Sequence, residues 1–470
     1  MAAIMRLNRC TTVKPSAPTW EGCLPLSEID LVGSMKHIPT ISFYPPPSQN
    51  WLTSDDTVSN LLKKSLSQAL VHFYPLAGRL RWISGSSAAG GGRLELDCNS
   101  KGVEFIEAES ESKLDDFGGV LTPVTEYHNL FPTGDYSLPI HDIPVMLVQL
   151  TRFSCGGISL GLAIAHAVCD GQSAFHFVSE WASLTRSEPV KTTPYLDRKV
   201  LGAGELASAP LHDDPTGYYL PELLPDNDHD RHHEVKSDNS EQKSTVETIM
   251  LRLRKDDLEK LRKKAKDSGE NPPNRSYTRF EVVAAHVWRC ACKARKLRAE
   301  QPTSLGVCVD TRNRVTPPLP KGYFGCGAFD LTVTGFSGEL VSKPLANVAC
   351  KIREKVKQVT NDFVWSAVDY LKTQPDLTMF RSDSLELCEA PTPKFYYENP
   401  NIGAVSWLTL PLYGHDFGWG KEIYMVPGEI EPESSFFIPD PRGDGSIIVA
   451  LCLQTAHVDS FKKHFYNDIV

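Results

Sequence analysis

Apolar side chains recur every three or four positions at Val58, Leu61, Leu62, Leu66 and Leu70, behind the capping types Ser54 and Asp55. That spacing predicts an amphipathic helix. Short apolar or alternating runs at 79–84, 93–98, 103–108, 145–153 and 157–166 predict strands. The stretch SGSSAAGGG at 84–92 reads as a flexible hairpin connection between the first two. A second helix follows, with Ala174, Phe175, Phe177, Val178, Trp181 and Ala182 along its apolar face.

Beyond residue 245 the pattern starts again. A strand is expected at 248–253 and a charged helix at 256–266. The capping box Thr278-Arg279-Phe280-Glu281 heads a helix running through Val287 and Trp288. Strands are expected at 304–309, 323–333, 403–410 and 446–453. One long helix is expected from Pro344, a good first-turn residue, to about Leu371, and a short helix closes the chain. The two halves thus both mix strands and helices. Between them the segment around 203–245 is poor in core residues and rich in Asp, His, Ser and Pro. The expected architecture is α+β: a domain over 1–202, an exposed crossover linker over 203–245 and a second domain over 246–470.

Composition narrows the function. The chain has 470 residues, 41% hydrophobic and 23% charged, which excludes a disordered, collagen-like or coiled-coil protein. A net charge of −9 disfavours general binding to nucleic acid or anionic membrane, since phosphate attraction needs clustered positive charge. No secretory h-region opens the sequence, and no apolar run approaches the ~20 residues that span a bilayer. The twelve cysteines have no regular spacing; Cys290 and Cys292 form a CxC without a second pair, so no metal site is expected and reduced thiols in a cytoplasmic protein are. The sequon at Asn274 is then a chance match.

Several familiar patterns fail on context. Gly157-Ile158-Ser159-Leu160-Gly161 fits GxSxG, but the apolar run continues unbroken through it, so Ser159 lies mid-strand and not at a nucleophile elbow. Asp416-Phe417-Gly418 lacks the other kinase motifs, and His233-Glu234 lacks a second histidine. His166-Ala167-Val168-Cys169-Asp170-Gly171 is different. Its spacing alone is expected about once by chance, but His166 ends a buried strand and Asp170-Gly171 open the next helix. That junction puts an imidazole at the lip of a sheet, and histidine, with an ordinary pKa near 6.5, can take and return a proton at neutral pH. Later come Asp416-Phe417-Gly418-Trp419-Gly420, where two glycines flank an indole, and Val309-Asp310-Thr311-Arg312-Asn313-Arg314 ahead of Gly322-Tyr323-Phe324-Gly325-Cys326.

Taken in order, HAVCDG (166–171), VDTRNR (309–314) with GYFGC (322–326), and HDFGWG (415–420) resemble the plant BAHD acyl-CoA-dependent acyltransferases. The resemblance covers essentially the whole chain. Within that family HIPT (37–40), VHFYPLAGRLRW (71–82), GVEFIEAESE (102–111), HVWRCACKAR (286–295), VSWLTLPLYG (405–414) and FKKHFY (461–466) most resemble spermidine hydroxycinnamoyl transferases. Where relatives acting on shikimate or quinate place an arginine for the acceptor carboxylate, this chain has Thr392, with Lys394 nearby.

The resemblance implies two similar-sized, chloramphenicol-acetyltransferase-like domains with mixed sheets flanked by helices, and a monomer. It implies a coenzyme A thioester as co-substrate, with no permanently bound cofactor, and an amine of spermidine or a similar polyamine as acceptor. An alcohol acceptor is the alternative, and a non-catalytic binder of acyl-CoA or of a partner protein is the alternative of another class. His166 becomes the general base in a channel between the domains, and the Trp407 indole a donor to the oxyanion, without the threonine that some relatives carry where this chain has Val405. Asp170 is expected to pair with Arg312 and support the site together with Gly171, Gly418, Trp419 and Gly420. Asp416 is expected among the catalytic residues, though its motif lies away from the channel in relatives. His37, Thr40 and Ser42 fall where relatives contact the acyl group. Candidate basic faces for the coenzyme A phosphates are Arg289 to Lys296 and Arg262 to Lys264. Cys326 stands where the family usually has asparagine, and a thiol cannot make the amide's hydrogen bonds; a nucleophilic role for Cys326 or Cys169 is not favoured.

Overall fold

In the computed structural model, residues 5–47, 57–83, 92–206, 245–267, 276–377, 380–381 and 399–469 are described. Strands of the first half are β1 (Met5–Val13), β2 (Cys23–Pro25), β3 (His37–Tyr44), β4 (Arg79–Trp82), β5 (Leu94–Asp97), β6 (Val103–Ser110), β7 (Met146–Phe153) and β8 (Ile158–Ala165). The second half adds β9 (Val246–Leu253), β10 (Pro302–Asp310), β11 (Ala328–Phe336), β12 (Ile402–Ser406), β13 (Tyr424–Pro427), β14 (Ser434–Pro439) and β15 (Ile447–Gln454). The helices are α1 (Thr57–His72), α2 (Gly171–Thr185), α3 (Lys255–Asp267) and α4 (Arg279–Ala294). They continue with α5 (Ser337–Ser342), α6 (Leu345–Lys357), α7 (Asn361–Thr373) and α8 (Thr455–Asn467).

Two six-stranded sheets carry the fold, in the orders β1-β6-β7-β8-β3-β13 and β11-β10-β12-β14-β15-β9, with a small sheet β2-β5-β4 beside them. Both large sheets are mixed: β6–β7, β10–β12 and β12–β14 run parallel and the remaining pairs antiparallel. Their interior strands β8 and β15 are buried at nearly every position, which is why they read as unbroken apolar runs. Helices cover the sheets. Trp181 of α2 is fully buried and donates its indole N–H to Ser65 Oγ of α1 at 3.0 Å, tying the two helices together. The expected capping box opens α4, with Glu281 N to Thr278 Oγ1 at 3.2 Å and Thr278 N to Glu281 Oε2 at 2.7 Å. The hairpin pairing of β4 with β5 is present; most of its connection, like Ser54 and Asp55, lies outside the described residues.

The structure departs from the sequence reading at several points. Strand β13 pairs antiparallel with β3, so a segment from the second half completes the first sheet. The expected second unit, 246–470, thus lends four residues to the ladder of the first sheet. Most of the linker lies outside the described residues. The long helix expected to reach Leu371 is two, since Thr360 Oγ1 accepts from Phe363 N at 3.3 Å and caps a new start. The strand expected from Tyr323 begins at Ala328, and the one from Gly403 ends at Ser406. No helix among the described residues is long and apolar enough to cross a membrane.

A cluster with Ile41, Phe43, Met425 and Val426 of the first sheet, and Met250, Ile438, Ile448 and Ala450 of the second, joins the halves. A cavity lined in part by Phe175 and Trp407 of this cluster opens beside it.

Candidate active site

β8 ends at Ala165, and His166 follows at once, its backbone N–H bonded to Lys36 O at 3.0 Å. Val168 N returns to Ala165 O, and Asp170 caps α2 by accepting from Ser173 N at 3.0 Å. The sequence HAVCDG is thus a strand end, a turn and a helix N-cap, and this projects the imidazole from the sheet.

The ring faces a cavity of about 240 Å³ built from both halves. From the first half come Ile38, Thr40, Leu162, Ile164, Phe175 and Val178; from the second come Cys308, Phe329, Asp330, Val405, Trp407 and Phe436. A second cavity of about 200 Å³ adjoins it, sharing Ser34, Ile38, Glu431 and Phe436. His166 is neither sealed in the core nor separated from Trp407, which lines the same space. Phe175 and Phe436 meet the Trp407 ring edge-to-face at 6.3 and 5.1 Å, fixing its plane. Its indole N–H has no hydrogen-bond partner among the described residues.

Asp170 turns away from His166. Arg312 grips it bidentately, Nη1 to Oδ2 at 2.7 Å and Nη2 to Oδ1 at 2.8 Å, and Gly327 N adds a bond at 2.9 Å. Burial opposes the charge, but the guanidinium and the two backbone N–H groups outweigh it and hold the Asp170 carboxyl below the usual carboxylate range. A Cβ on Gly327 would stand 2.7 Å from Arg312 Nη1, so the close approach requires glycine there. Asp170 and Arg312 come together as the sequence reading expected.

Asp416, expected among the catalytic residues, is not among the residues lining the cavity. Its Oδ1 accepts from Gly418 N at 2.7 Å and Gly420 N at 2.9 Å, closing its own turn, while its carbonyl accepts from Arg186. Gly418 and Gly420 have φ of +113° and +110°, conformations open to glycine. Phe417 is fully buried between Trp181, 5.1 Å away, and Trp419, 5.7 Å away. The motif is a joint that seats the second half on α2 and β3.

Of the three residues proposed for the acyl group, Thr40 alone lines the main cavity. His37 lines the adjoining one, and its ring is committed: Nδ1 to Tyr136 Oη at 2.8 Å and Nε2 to Pro144 O at 2.7 Å. Burial pushes its pKa down to about 4. Ser42 lies two residues along β3, in register between Leu160 and Met425, and lines neither cavity. In the basic run from Arg289 to Lys296, three of the four cations at Arg289, Lys293, Arg295 and Lys296 have partners. Arg289 bonds Leu340 O and Lys343 O, Lys293 pairs with Asp468 at 2.5 Å, and Arg295 pairs with Glu433. Arg262 pairs with Glu259 on its own helix. Thr392 and Lys394 lie outside the described residues. Among the described residues, no cluster of His, Cys, Asp or Glu could hold a metal, and Ser159 is fully buried mid-strand in β8.

Two groups were missed from sequence. Asp330 of β11 lines the cavity, where burial pushes its carboxyl up against the opposing pull of the Cys308 thiol and His166. Asp30 and Arg198 form a fully buried pair at 3.0 Å; Arg198 also donates to Val168 O at 2.5 Å, and Asp30 Oδ1 accepts from Cys326 N at 2.8 Å. Strand alternation from Ala328 places Asp330 on the inward face, but nothing local marks Asp30.

Two mixed sheets, the first completed by a strand from the second half, have a histidine in the cavity between them. The Transferase family model matches residues 5–468, and the chain belongs to this family, as an acyl-CoA-dependent acyltransferase of the BAHD type. The chain is 41% identical to hydroxycinnamoyl-CoA:piscidic acid hydroxycinnamoyltransferase of Actaea racemosa, over 97% of this chain and 98% of that one. It is 36% identical to shikimate O-hydroxycinnamoyltransferase of Nicotiana tabacum, over 98% and 99%. It is 35% identical to a hydroxycinnamoyl-CoA:5-hydroxyanthranilate N-hydroxycinnamoyltransferase of Avena sativa, over 97% and 98%. Among solved structures, the fold is that of vinorine synthase, with a TM-score of 0.70, 22% identity and coverage of 97% and 96%. F. sporotrichioides TRI101 complexed with coenzyme A and T-2 gives 0.73, 16%, 94% and 97%. The reading as a non-catalytic binder falls.

Proposed function

We propose that the protein transfers a hydroxycinnamoyl group from coenzyme A to an amine of spermidine or a similar polyamine, with His166 as general base. The thioester is already activated, so what remains is placement, proton removal and oxyanion support. The neutral amine attacks the thioester carbonyl while a His166 ring nitrogen takes its proton. The oxyanion accepts a hydrogen bond from the Trp407 indole. Collapse breaks the C–S bond, the thiolate takes the proton back from His166, and amide and free coenzyme A leave. The aromatic lining of Phe175, Phe329, Trp407 and Phe436 suits a planar aromatic acyl group.

The observation carrying the acceptor class is charge. The described lining of the cavity includes Asp170, Asp330 and Glu431 and no lysine or arginine. Asp170 is neutralised by Arg312, whereas no lysine or arginine pairs with Asp330 among the described residues, and burial pushes its carboxyl up, so a cation brought beside it would be welcome. Such a wall favours an ammonium-bearing acceptor and opposes a carboxylate. A second reading, O-acylation of an alcohol, draws on the likeness to the shikimate O-acylating relative. A grid of caffeoyl- and coumaroyl-CoA against spermidine, shikimate and piscidic acid separates the two. Amide from spermidine, increasing with pH as more free amine forms, supports the proposal; ester alone overturns it. His166→Ala should retain acyl-CoA binding and lose ~10²–10⁴ in turnover.

A further inference from the structure

Cys326 lines the cavity beside His166. Its Sγ lies 3.0 Å from the His166 carbonyl oxygen and 3.8 Å from His166 Nδ1. A thiol owns one hydrogen, and a carbonyl oxygen owns none. The S–H therefore goes to the carbonyl, and toward Nδ1 the sulfur can only accept. Nδ1 then carries the ring's hydrogen, and the lone pair of the neutral imidazole is on Nε2.

We propose that Cys326 is a positioning residue that fixes the plane and tautomer of His166, keeping Nε2 as the nitrogen that receives the acceptor's proton. The sulfur is held where this requires it. Cys326 N donates to Asp30 at 2.8 Å, Gly327 N to Asp170 at 2.9 Å, and Gly325 O accepts from Ser173 Oγ at 2.9 Å. Asp30 is bound to Arg198, which also holds the Val168 carbonyl in the turn behind His166. One buried ion pair thus fixes both the thiol and the ring. Burial, with Asp30 and Asp170 nearby, pushes the Cys326 thiol far up, so it stays S–H and neither surrenders its hydrogen nor competes as a nucleophile. The other titratable groups lining the cavity are Cys169, Asp170, Cys308, Asp330 and Glu431, and no hydrogen bond joins any of them to the His166 ring among the described residues.

The inference rests on His166 being the base, and its test is separable from that reading. The full-length protein, labelled with ¹⁵N-histidine, reports each ring nitrogen by NMR, with His166→Ala assigning the signals. The expected wild-type signature is a protonated Nδ1 and an unprotonated Nε2 on neutral His166. Cys326→Ala should mix the tautomers and lower kcat about tenfold, with the KM for acyl-CoA changed less than twofold. Cys326→Ser, with one hydroxyl hydrogen and free lone pairs, should restore the tautomer and most of kcat. A wild-type ring protonated on Nε2, or a Cys326→Ala protein with unchanged ring signals and kcat, overturns the proposal. Should Cys326→Ala fail to fold, the wild-type and serine spectra still decide it. Full turnover in His166→Ala would instead sink the base assignment and leave the tautomer result standing.

Discussion

Arg312 reaches from the end of β10 to take both carboxylate oxygens of Asp170, at 2.7 and 2.8 Å, and no hydrogen bond joins Asp170 to His166 among the described residues. The pair clamps the start of α2 to the second half; it is not a proton relay. Arg312→Ala strands a buried carboxylate and should cost about 3–5 kcal/mol, read as a lower urea midpoint at constant slope. Asp170→Asn should likewise destabilise while leaving the shape of the kcat–pH profile intact. A profile that loses its base limb in Asp170→Asn would restore the aspartate to the chemistry.

Trp407 offers an indole N–H to the cavity while its ring is wedged between Phe175 and Phe436. Trp407→Phe keeps an aromatic ring there and deletes the donor. The expected result is a drop of about 10²-fold in kcat with KM for both substrates within a few-fold, and nearly unchanged thermal stability. A loss confined to KM would mean that the indole binds acyl group and not oxyanion.

Asp330 tests the charge of the acceptor. Asp330→Asn removes the carboxylate from the wall and keeps the side-chain shape. For a polyammonium acceptor, KM should rise about tenfold, the equivalent of ~1.4 kcal/mol, with KM for acyl-CoA unchanged. For a neutral alcohol acceptor the substitution should change little. Steady-state kinetics with spermidine and an uncharged alcohol side by side give the answer.

Much of this was legible because local chemistry announced it. A strand ending in histidine and running into an Asp-Gly helix start is a local event, and HAVCDG displays all of it. Asp170 and Arg312 are 142 residues apart, yet each sits in a motif of its own. What stayed hidden was non-local. β13 is four residues long and has its partner β3 nearly 400 residues earlier, so no periodicity within it betrays which sheet it joins. Asp30 and Arg198 look like ordinary surface charges until the fold buries both. The basic run shows the same limit: Arg289, Lys293 and Arg295 meet backbone carbonyls, Asp468 and Glu433 that sequence could not place beside them.

Acid sensitivity follows from three histidines held neutral. Burial pushes His37, His286 and His415 down to about 4, and His286 Nε2 donates to Phe465 O at 2.8 Å, joining α4 to α8. An unfolded histidine titrates near 6.5, so between pH ~6.5 and ~4 the unfolded chain holds protons that the folded chain refuses. Stability is then full above pH 6.5 and falls as pH drops through this window, by up to about 3 kcal/mol per histidine. Urea denaturation at steps from pH 7 to 4.5 gives the proton uptake on unfolding as the slope of stability against pH. His286→Gln, which keeps an amide donor but cannot titrate, should lower that uptake by about one proton near pH 5. An unchanged slope in the variant would show that His286 is already protonated in the folded protein, and that its bond to Phe465 is made by an imidazolium.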